Sequence, residues 1–552
     1  MNDLHNSKKL FWTLLAVFAI VWLYVLGVRT LVPPDEGRYA EMAREMFASG
    51  DWITTRLNGI KYFEKPPLQT WMNALSFAVF GLGEWQARLW TGLCGLGTVL
   101  LTGYTGRRLF GARAGFYAAL ALGSSLYWVA SGQIDSLDMS LSAMMAIALC
   151  SLLIAQQDGA APESRRNWML LCWAGMALAV LAKGLIGLVL PGAVLVLYTL
   201  ISRDWAIWSR LHLGKGLLLF FAVATPWFVL VGLKNPEQPH FFFIHEHFER
   251  FLLKTHHREG AWYYFVILLI PGIMPWLGVL PQSLWGAVRR QPGAFQPKLM
   301  LLVWAVFIFF FFSYSSSKLP GYTLPIYPAL ALLIASCLET TSRRNRLIAA
   351  GLQLLVGLVV LVAIPKMVSV AVHHPAERPL LEHYQPWVLA AGIVMAAGGA
   401  LALLHARHLR RDHAVLTMAI AGFISTQLIL VGFEPYGNVR AGKALTSRIK
   451  AELTPETKIY SVGTYEQSMT FYIGRPVTLV DYWDEFTFGL RQQPELSIPT
   501  VDGWSAQWQA QTQAGIKALA IMSLEDYAKF KASGLPMRVV AEDTRRIVVA
   551  NI

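Results

Sequence analysis

Charge is what this sequence has least of. Only 15% of its 552 residues are Asp, Glu, Lys or Arg, while 55% are hydrophobic. A soluble domain carries about 25% charged residues, so a large soluble enzyme is excluded and a membrane protein is indicated. Cysteine is scarce too. Cys94, Cys150, Cys172 and Cys337 all lie inside apolar runs, with no CxxC and no His–Cys cluster, so neither a disulfide framework nor a zinc site is indicated. No low-complexity tract or soluble-type repeat occurs. No small-residue cleavage site follows the first apolar run, Leu10 to Val28, so it reads as an uncleaved span. The net charge of +13 is not a nucleic-acid signal, because most basic residues cluster in short loops between apolar runs, as the positive-inside rule predicts.

What is present is a long series of apolar runs. Lys8-Lys9 place the N-terminus inside and the segment after the first span on the outer face. The run Leu68–Gly83 is short. Gln69, Asn73 and Ser76 line one side and Leu68, Trp71, Met72, Leu75 and Val79 the other, which predicts an interfacial amphipathic helix. With that helix flat, runs near 88–105, 114–131, 138–156, 167–182, 184–201, 215–233, 261–280, 299–314, 321–338, 347–364, 386–404 and 414–433 alternate across the bilayer. The arginine-rich loops then all fall on the inside. The expectation is an α-helical polytopic membrane protein with about thirteen transmembrane helices over residues 1–433, including a first outer loop over 33–87.

From Glu434 the composition changes. KIYSVG, VTLVD, ALAIMS, MRVVA and RRIVVANI read as short strands alternating with helices near 440–451, 502–513 and 523–533. Residues 434–552 are therefore expected to form an outer-face α/β domain. It has no Gly-rich phosphate loop and no evident catalytic set.

The densest polar chemistry in the front half lies between Pro33 and Pro67. Prolines 33 and 34 stop the preceding helix, and Asp35 stands at an N-cap position. Tyr39, Met42, Ala43, Met46 and Phe47 share one face, and Ser49-Gly50 ends the helix. Arg38, Glu41, Arg44 and Glu45 offer partners on the polar side. Capping accounts for Asp35 as readily as chemistry does, and the same holds for Asp138 at the start of DMSLSAMM.

The outer-face candidates are the carboxylates Asp35, Glu36, Glu64, Asp135 and Asp138. With them stand Lys65, Arg250, Lys254, Arg258 and Lys318, and the imidazoles of His245, His247, His256 and His257. Carboxylates and fixed cations beside a bilayer suit transfer of a group from a lipid phosphate without a metal. His245 and His247, at i,i+2, do not share a helix face, so paired ligation is disfavoured. Glu64 is the one candidate metal ligand, but it lacks a spaced partner, so a divalent cation is possible and unsupported. Lys183 in LAKGLIG reads as a snorkelling lysine. A transporter without chemistry would place charges at the midplane and show inverted repeats; neither pattern is found.

Several blocks together resemble a known family: PPDEGRYAEMAREM, YFEKPPL, LAKG, the outer segment with His245 and Arg250, MPWLG and SKLPGYTLPIYP. They are similar to the C-type membrane glycosyltransferases, in particular the bacterial lipid A aminoarabinose transferases, relatives of the protein O-mannosyltransferases. The resemblance implies inverting transfer of a sugar from undecaprenyl phosphate to a lipid A phosphate, on the periplasmic side of the inner membrane. It implies Asp35 and Asp138 as the essential acidic positions, and Lys65, His245 and Arg250 as donor-phosphate contacts. Tyr62 and Glu64 would line the cavity with Arg38 and Glu36, and Lys318 and Tyr322 would join from a late loop. It requires no cofactor and no nucleic acid, and a monomer is expected. Transfer to a protein or glycan hydroxyl is the alternative reading.

Overall fold

The computed structural model describes residues 4, 7–249, 260–366, 369 and 377–552; the side chains of residues 245–249 are not among those described. The first span forms as α1 (Lys8–Val25), capped by Ser7, whose hydroxyl accepts the Leu10 N–H at 3.3 Å. The outer loop follows as α2 (Asp35–Ser49), a hairpin of β1 (Arg56–Leu57) and β2 (Ile60–Lys61), and α3 (Leu68–Phe80). Gly50 ends α2 at φ 70°, a left-handed cap that glycine adopts without steric cost.

The bundle continues with α4 (Glu84–Phe110), α5 (Ala112–Ser124), α6 (Leu126–Ser131), α7 (Leu137–Ala155), α8 (Pro162–Lys183), α9 (Ile186–Ser202) and α10 (Leu213–Lys234). Its second half comprises α11 (Tyr264–Gly272), α12 (Leu280–Ala287), α13 (Pro297–Tyr314), α14 (Tyr327–Thr340), α15 (Arg343–Ala363), α16 (Arg378–Arg407) and α17 (Arg411–Gly432). Among the described residues, eight helices are long and apolar enough to cross a membrane. Of the other expected spans, 88–105 and 167–182 lie within the continuous helices α4 and α8, and three form differently. The run 114–131 is interrupted at Ser125, 261–280 is divided between α11 and a 3-10 turn at Trp276–Gly278, and α9 has 17 residues. The chain is a multi-pass membrane protein with a C-terminal sheet.

That sheet has strand order β5-β4-β3-β6-β8-β7, where β3 is Lys458–Val462, β4 Thr478–Val480, β5 Ser497–Ile498, β6 Ala518–Ser523, β7 Arg538–Glu542 and β8 Arg546–Ala550. The first four in that order are parallel, with Ser461 beside Leu479 and Ile521, and β8 pairs antiparallel to β6 and β7. Strand β5 and the helix Gln467–Ile473 were not expected. The helix near 440–451 is divided at Gly442, where φ is 65°.

Alternation along the strands builds two cores. Tyr460, Val462, Val480 and Ala520 pack on Trp504 and Trp508 of the sheet's own helix. Ile459, Leu479, Leu519 and Val548, on the other face, share one core with Tyr39, Met42, Leu57, Ile60 and Tyr62 of the outer loop. At roughly 1.5–3 kcal/mol per buried side chain, this shared core fixes the loop to the sheet. Gly37 lets α2 approach the helix Gln467–Ile473, since a Cβ there would lie 2.6 Å from Ser468 Cα.

Two expectations about helix faces are corrected by this packing. The polar side of α2 does not face water. Glu41, Arg44 and Glu45 are buried beneath the C-terminal region, whereas Phe47 is 42% exposed. In α3, Gln69, Asn73 and Ser76 point into the protein and Leu75, Val79 and Phe80 point out. The helix is amphipathic as expected, but its polar side meets a buried carboxylate instead of the aqueous interface.

Candidate active site

Three segments meet over the first turn of α2. Asp35 is the first helical residue, one place inside the expected cap position, which Pro34 occupies without a side-chain hydrogen bond. Arg38, one turn on, places Nη1 3.0 Å from Asp35 Oδ1 and Nε 2.8 Å from Glu485 Oε2. Asp35 stays 51% exposed and Arg38 only 16%. Glu485 comes from the C-terminal sheet, on the 3-10 turn Asp484–Phe486 that follows β4. Its two oxygens also accept from the Tyr62 hydroxyl at 3.3 Å and Gln467 Nε2 at 2.9 Å. Burial pushes the Glu485 carboxyl up from its ordinary value, and Arg38 opposes that shift. Asp481 and Asp484 both have positive φ, 48° and 24°. That is strained backbone for non-glycine residues, of the kind that collects at functional sites.

Tyr62 follows the β1–β2 hairpin. Its Asn58-Gly59 turn has positive φ at both residues, as a two-residue hairpin turn demands. Asn58 anchors the hairpin tip to the C-terminal region through Val477, donating to its carbonyl at 2.8 Å and accepting its N–H at 2.7 Å.

The second carboxylate, Asp138, lies in the first turn of α7, where Ser136 occupies the cap position. Lys183, the last residue of α8, donates to Asp138 Oδ1. The Tyr322 ring lies 4.9 Å from Lys183 Nζ and packs on Phe312. Gly321 closes over this pair, because a Cβ there would lie 2.8 Å from Asp138 Cβ. The snorkelling reading of Lys183 is therefore corrected. The ammonium turns inward to a carboxylate because that partner outweighs the cost of its burial. Tyr39 joins the two halves. Burial pushes its phenol well above the ordinary value, and Asp35, Asp138 and Glu64 are all close enough to push it further, against Arg38.

Two predicted acids belong elsewhere. Glu36 is 1% exposed and forks onto Arg88, Oε1 to Nε at 2.5 Å and Oε2 to Nη2 at 2.9 Å. It also accepts the N–H groups of Val32 and Asp135. Burial alone would raise the Glu36 carboxyl; the Arg88 guanidinium outweighs that and holds it low. Asp135 is fully buried, taking Gln69 Nε2 at 2.6 Å and Asn73 Nδ2 at 2.8 Å. These acids lock α2 to the bundle.

Lys65 bonds the Glu64 carbonyl at 2.8 Å and lies 3.8 Å from its carboxylate, both about one-fifth exposed. Among the described residues no three His, Cys, Asp or Glu side chains gather to hold a metal ion. Lys318 is spent on the end of α13, donating to the Ser313 and Ser315 carbonyls at 2.8 and 2.9 Å. The side chains of His245 and His247, and the whole of Arg250, Lys254, His256, His257 and Arg258, lie outside the described residues.

The structure thus brings together Asp35, Arg38, Tyr62, Glu64, Asp138 and Tyr322, and adds Lys183, Tyr39 and Glu485. The signal for Glu485 was the acidic, aromatic stretch DYWDEF directly after a strand, a position where α/β folds present functional loops. A half-exposed carboxylate fixed by an arginine, beside a carboxylate fixed by a lysine, can stabilise developing positive charge on a sugar while nearby cations hold its phosphate.

Residues 64–229 match the family described as dolichyl-phosphate-mannose-protein mannosyltransferase, and residues 445–551 match the aminoarabinose transferase C-terminal domain. The undecaprenyl phosphate-alpha-4-amino-4-deoxy-L-arabinose arabinosyl transferase of Edwardsiella ictaluri is 33% identical over 76% of each chain. The crystal structure of ArnT from Cupriavidus metallidurans bound to undecaprenyl phosphate is 41% identical, with TM-score 0.93 over 99% of each chain. The apo oligosaccharyltransferase of Archaeoglobus fulgidus shares the fold alone, at 11% identity and TM-score 0.50, over 96% of this chain and 71% of that one.

Proposed function

This chain belongs to the undecaprenyl phosphate-aminoarabinose arabinosyl transferase family, and on that premise we propose that it moves 4-amino-4-deoxy-L-arabinose from undecaprenyl phosphate to a phosphate of lipid A. The bond from the sugar C1 to the donor phosphate breaks, undecaprenyl phosphate leaves, and a lipid A phosphate oxygen forms the new bond with inversion. The reaction takes place at the periplasmic face of the bacterial inner membrane. The observation that carries this reading is the whole-chain correspondence to a relative crystallised with undecaprenyl phosphate.

Lys65, His245 and Arg250 hold the donor phosphate and its leaving charge, and Tyr62 and Glu485 wall the site from the C-terminal side. A lipid A phosphate is ionised near neutral pH, so it needs no general base. Asp35 instead pairs with positive charge on the sugar, its ammonium in the ground state and its oxocarbenium-like carbon in the transition state. Asp138, held by Lys183, shapes the other side. The product carries an added ammonium on lipid A, which weakens binding of cationic peptides such as polymyxins.

The test is mass spectrometry of lipid A from cells that make the donor but lack this protein, complemented by wild type or Asp35→Asn. An aminopentose mass increase with wild type alone is expected. Unchanged lipid A despite good expression overturns the acceptor. It favours transfer to a protein hydroxyl, the reading to which the mannosyltransferase match over residues 64–229 lends weight.

A further inference from the structure

At the far end of the bundle a second charged cluster has no place in this reaction. Helix α17 has 22 residues, about 33 Å at 1.5 Å each. Its C-terminal end leads to Glu434, whose carboxylate accepts the Thr30 N–H and hydroxyl, both at 2.6 Å, beneath α2. Its N-terminal end, at Arg411, therefore lies on the opposite side from the candidate active site.

Two arginines converge there on the last turn of α14. Arg411 donates to the Glu339 carbonyl, and Arg346 Nη1 donates to the Thr341 carbonyl at 2.6 Å. Carbonyls at a helix C-terminus favour cations, and each arginine takes a different one. Arg346 is 93% buried from its 7% exposure, yet its Nε has no hydrogen-bond partner. Arg411 and Arg343 lie close enough for their charges to repel it. Arg343, three residues before Arg346 on α15, and Arg410, next to Arg411 in the chain, are exposed. The acids on these helix ends are Glu339 and Asp412, and Asp412 is engaged by the Tyr117 hydroxyl at 2.5 Å and Arg113 Nε at 3.5 Å. A buried, incompletely bonded guanidinium among like charges calls for an anion.

The surroundings select the kind of anion. Apolar surface begins within about a turn of the cluster, with Ile348 on α15 48% exposed and Leu404 on α16 50% exposed, and continues along both helices at Leu355 and Leu401. A phosphate with acyl chains fits both surfaces, whereas a free anion fits only one. The geometry points to a binding site for an anionic phospholipid here, its phosphate on Arg346, Arg343 and Arg410 and its chains along α15 and α16. The site anchors the bundle end remote from the transferase chemistry.

The test uses the full-length protein in neutral detergent, with phosphatidylglycerol, phosphatidylcholine and inorganic phosphate as separate probes. Native mass spectrometry counts retained lipid, and thermal unfolding reports stabilisation. Phosphatidylglycerol should bind and stabilise the wild type, with about fivefold weaker binding for each arginine removed. The variants are Arg346→Gln and, in case that buried change impairs folding, the exposed pair Arg343→Gln/Arg410→Gln. Equal retention of phosphatidylcholine, or undiminished phosphatidylglycerol binding by the exposed pair, overturns the proposal. Inorganic phosphate reproducing the whole stabilisation overturns the lipid assignment.

Discussion

Arg38 and Glu485 come from opposite ends of the chain and stand 2.8 Å apart. Through this pair the C-terminal sheet holds the same guanidinium that holds Asp35. Removing one charge of a largely buried ion pair leaves the other uncompensated, so Glu485→Gln should lower transfer at least tenfold. Because burial raises this carboxyl, activity should also fall on acidification from above the usual carboxylate range, and the variant should lose that limb. A pH–rate profile of purified protein checks both. Unchanged turnover would remove Glu485 from the site.

Lys183→Met should abolish most transfer and destabilise the bundle by about 3 kcal/mol, because it leaves Asp138 without its ammonium. Adding Asp138→Asn should restore stability but not activity. A double-mutant cycle reading melting and turnover separates the two roles. Additive losses in stability would show that the contact carries no coupling.

Gly37→Ala tests the seam between α2 and the C-terminal region. The added methyl meets Ser468 backbone, which cannot rotate away, so a cost of about 1–3 kcal/mol is expected. Limited proteolysis should cut the C-terminal region faster while the membrane bundle stays intact. Wild-type protease resistance would mean that the seam absorbs a methyl group freely.

Glu45 offers a pH test of stability. Burial, with the neighbouring Glu41 charge, pushes its carboxyl up to about 8, although Gly59 N–H and Arg44 pull it down. The folded protein therefore binds more protons than the unfolded chain between about pH 4.5 and 8, and stability falls as pH rises through that window. Glu45→Gln should flatten the decline and raise the melting temperature at pH 8. Parallel melting curves for variant and wild type across the window would falsify this assignment.

Much of the architecture was legible because it rests on local rules. The prolines before Asp35, the glycine after Ser49 and the alternation in KIYSVG and RRIVVANI act within a few residues. Asp35 and Asp138 stood out as acids opening helices on one face. What escaped depends on partners far along the chain. Asp35 and Glu36 are neighbours in sequence, yet helix phase turns one to the open site and the other onto Arg88. Nothing local distinguishes them. Lys183 looked like a snorkelling residue because its carboxylate lies on another helix, and nothing near Glu485 in sequence reveals the Arg38 and Tyr62 partners it meets where the sheet docks on α2. The charged side of α2 misled for the same reason, since its cover is made by the last part of the chain.

That cover has a consequence for how the protein is made. Tyr39, Met42 and Tyr62 share a core with Leu519 and Val548, so the segment after the first span cannot complete its burial until synthesis nears the C-terminus. During that interval its apolar side chains lack their final neighbours, and Arg38 lacks Glu485. Contacts of such long sequence separation form slowly and leave intermediates open to aggregation. A chain cut short before β6 would keep its membrane helices and still present a sticky, unfinished outer loop. The active site is thus assembled last, and its assembly reports that the whole chain has been made.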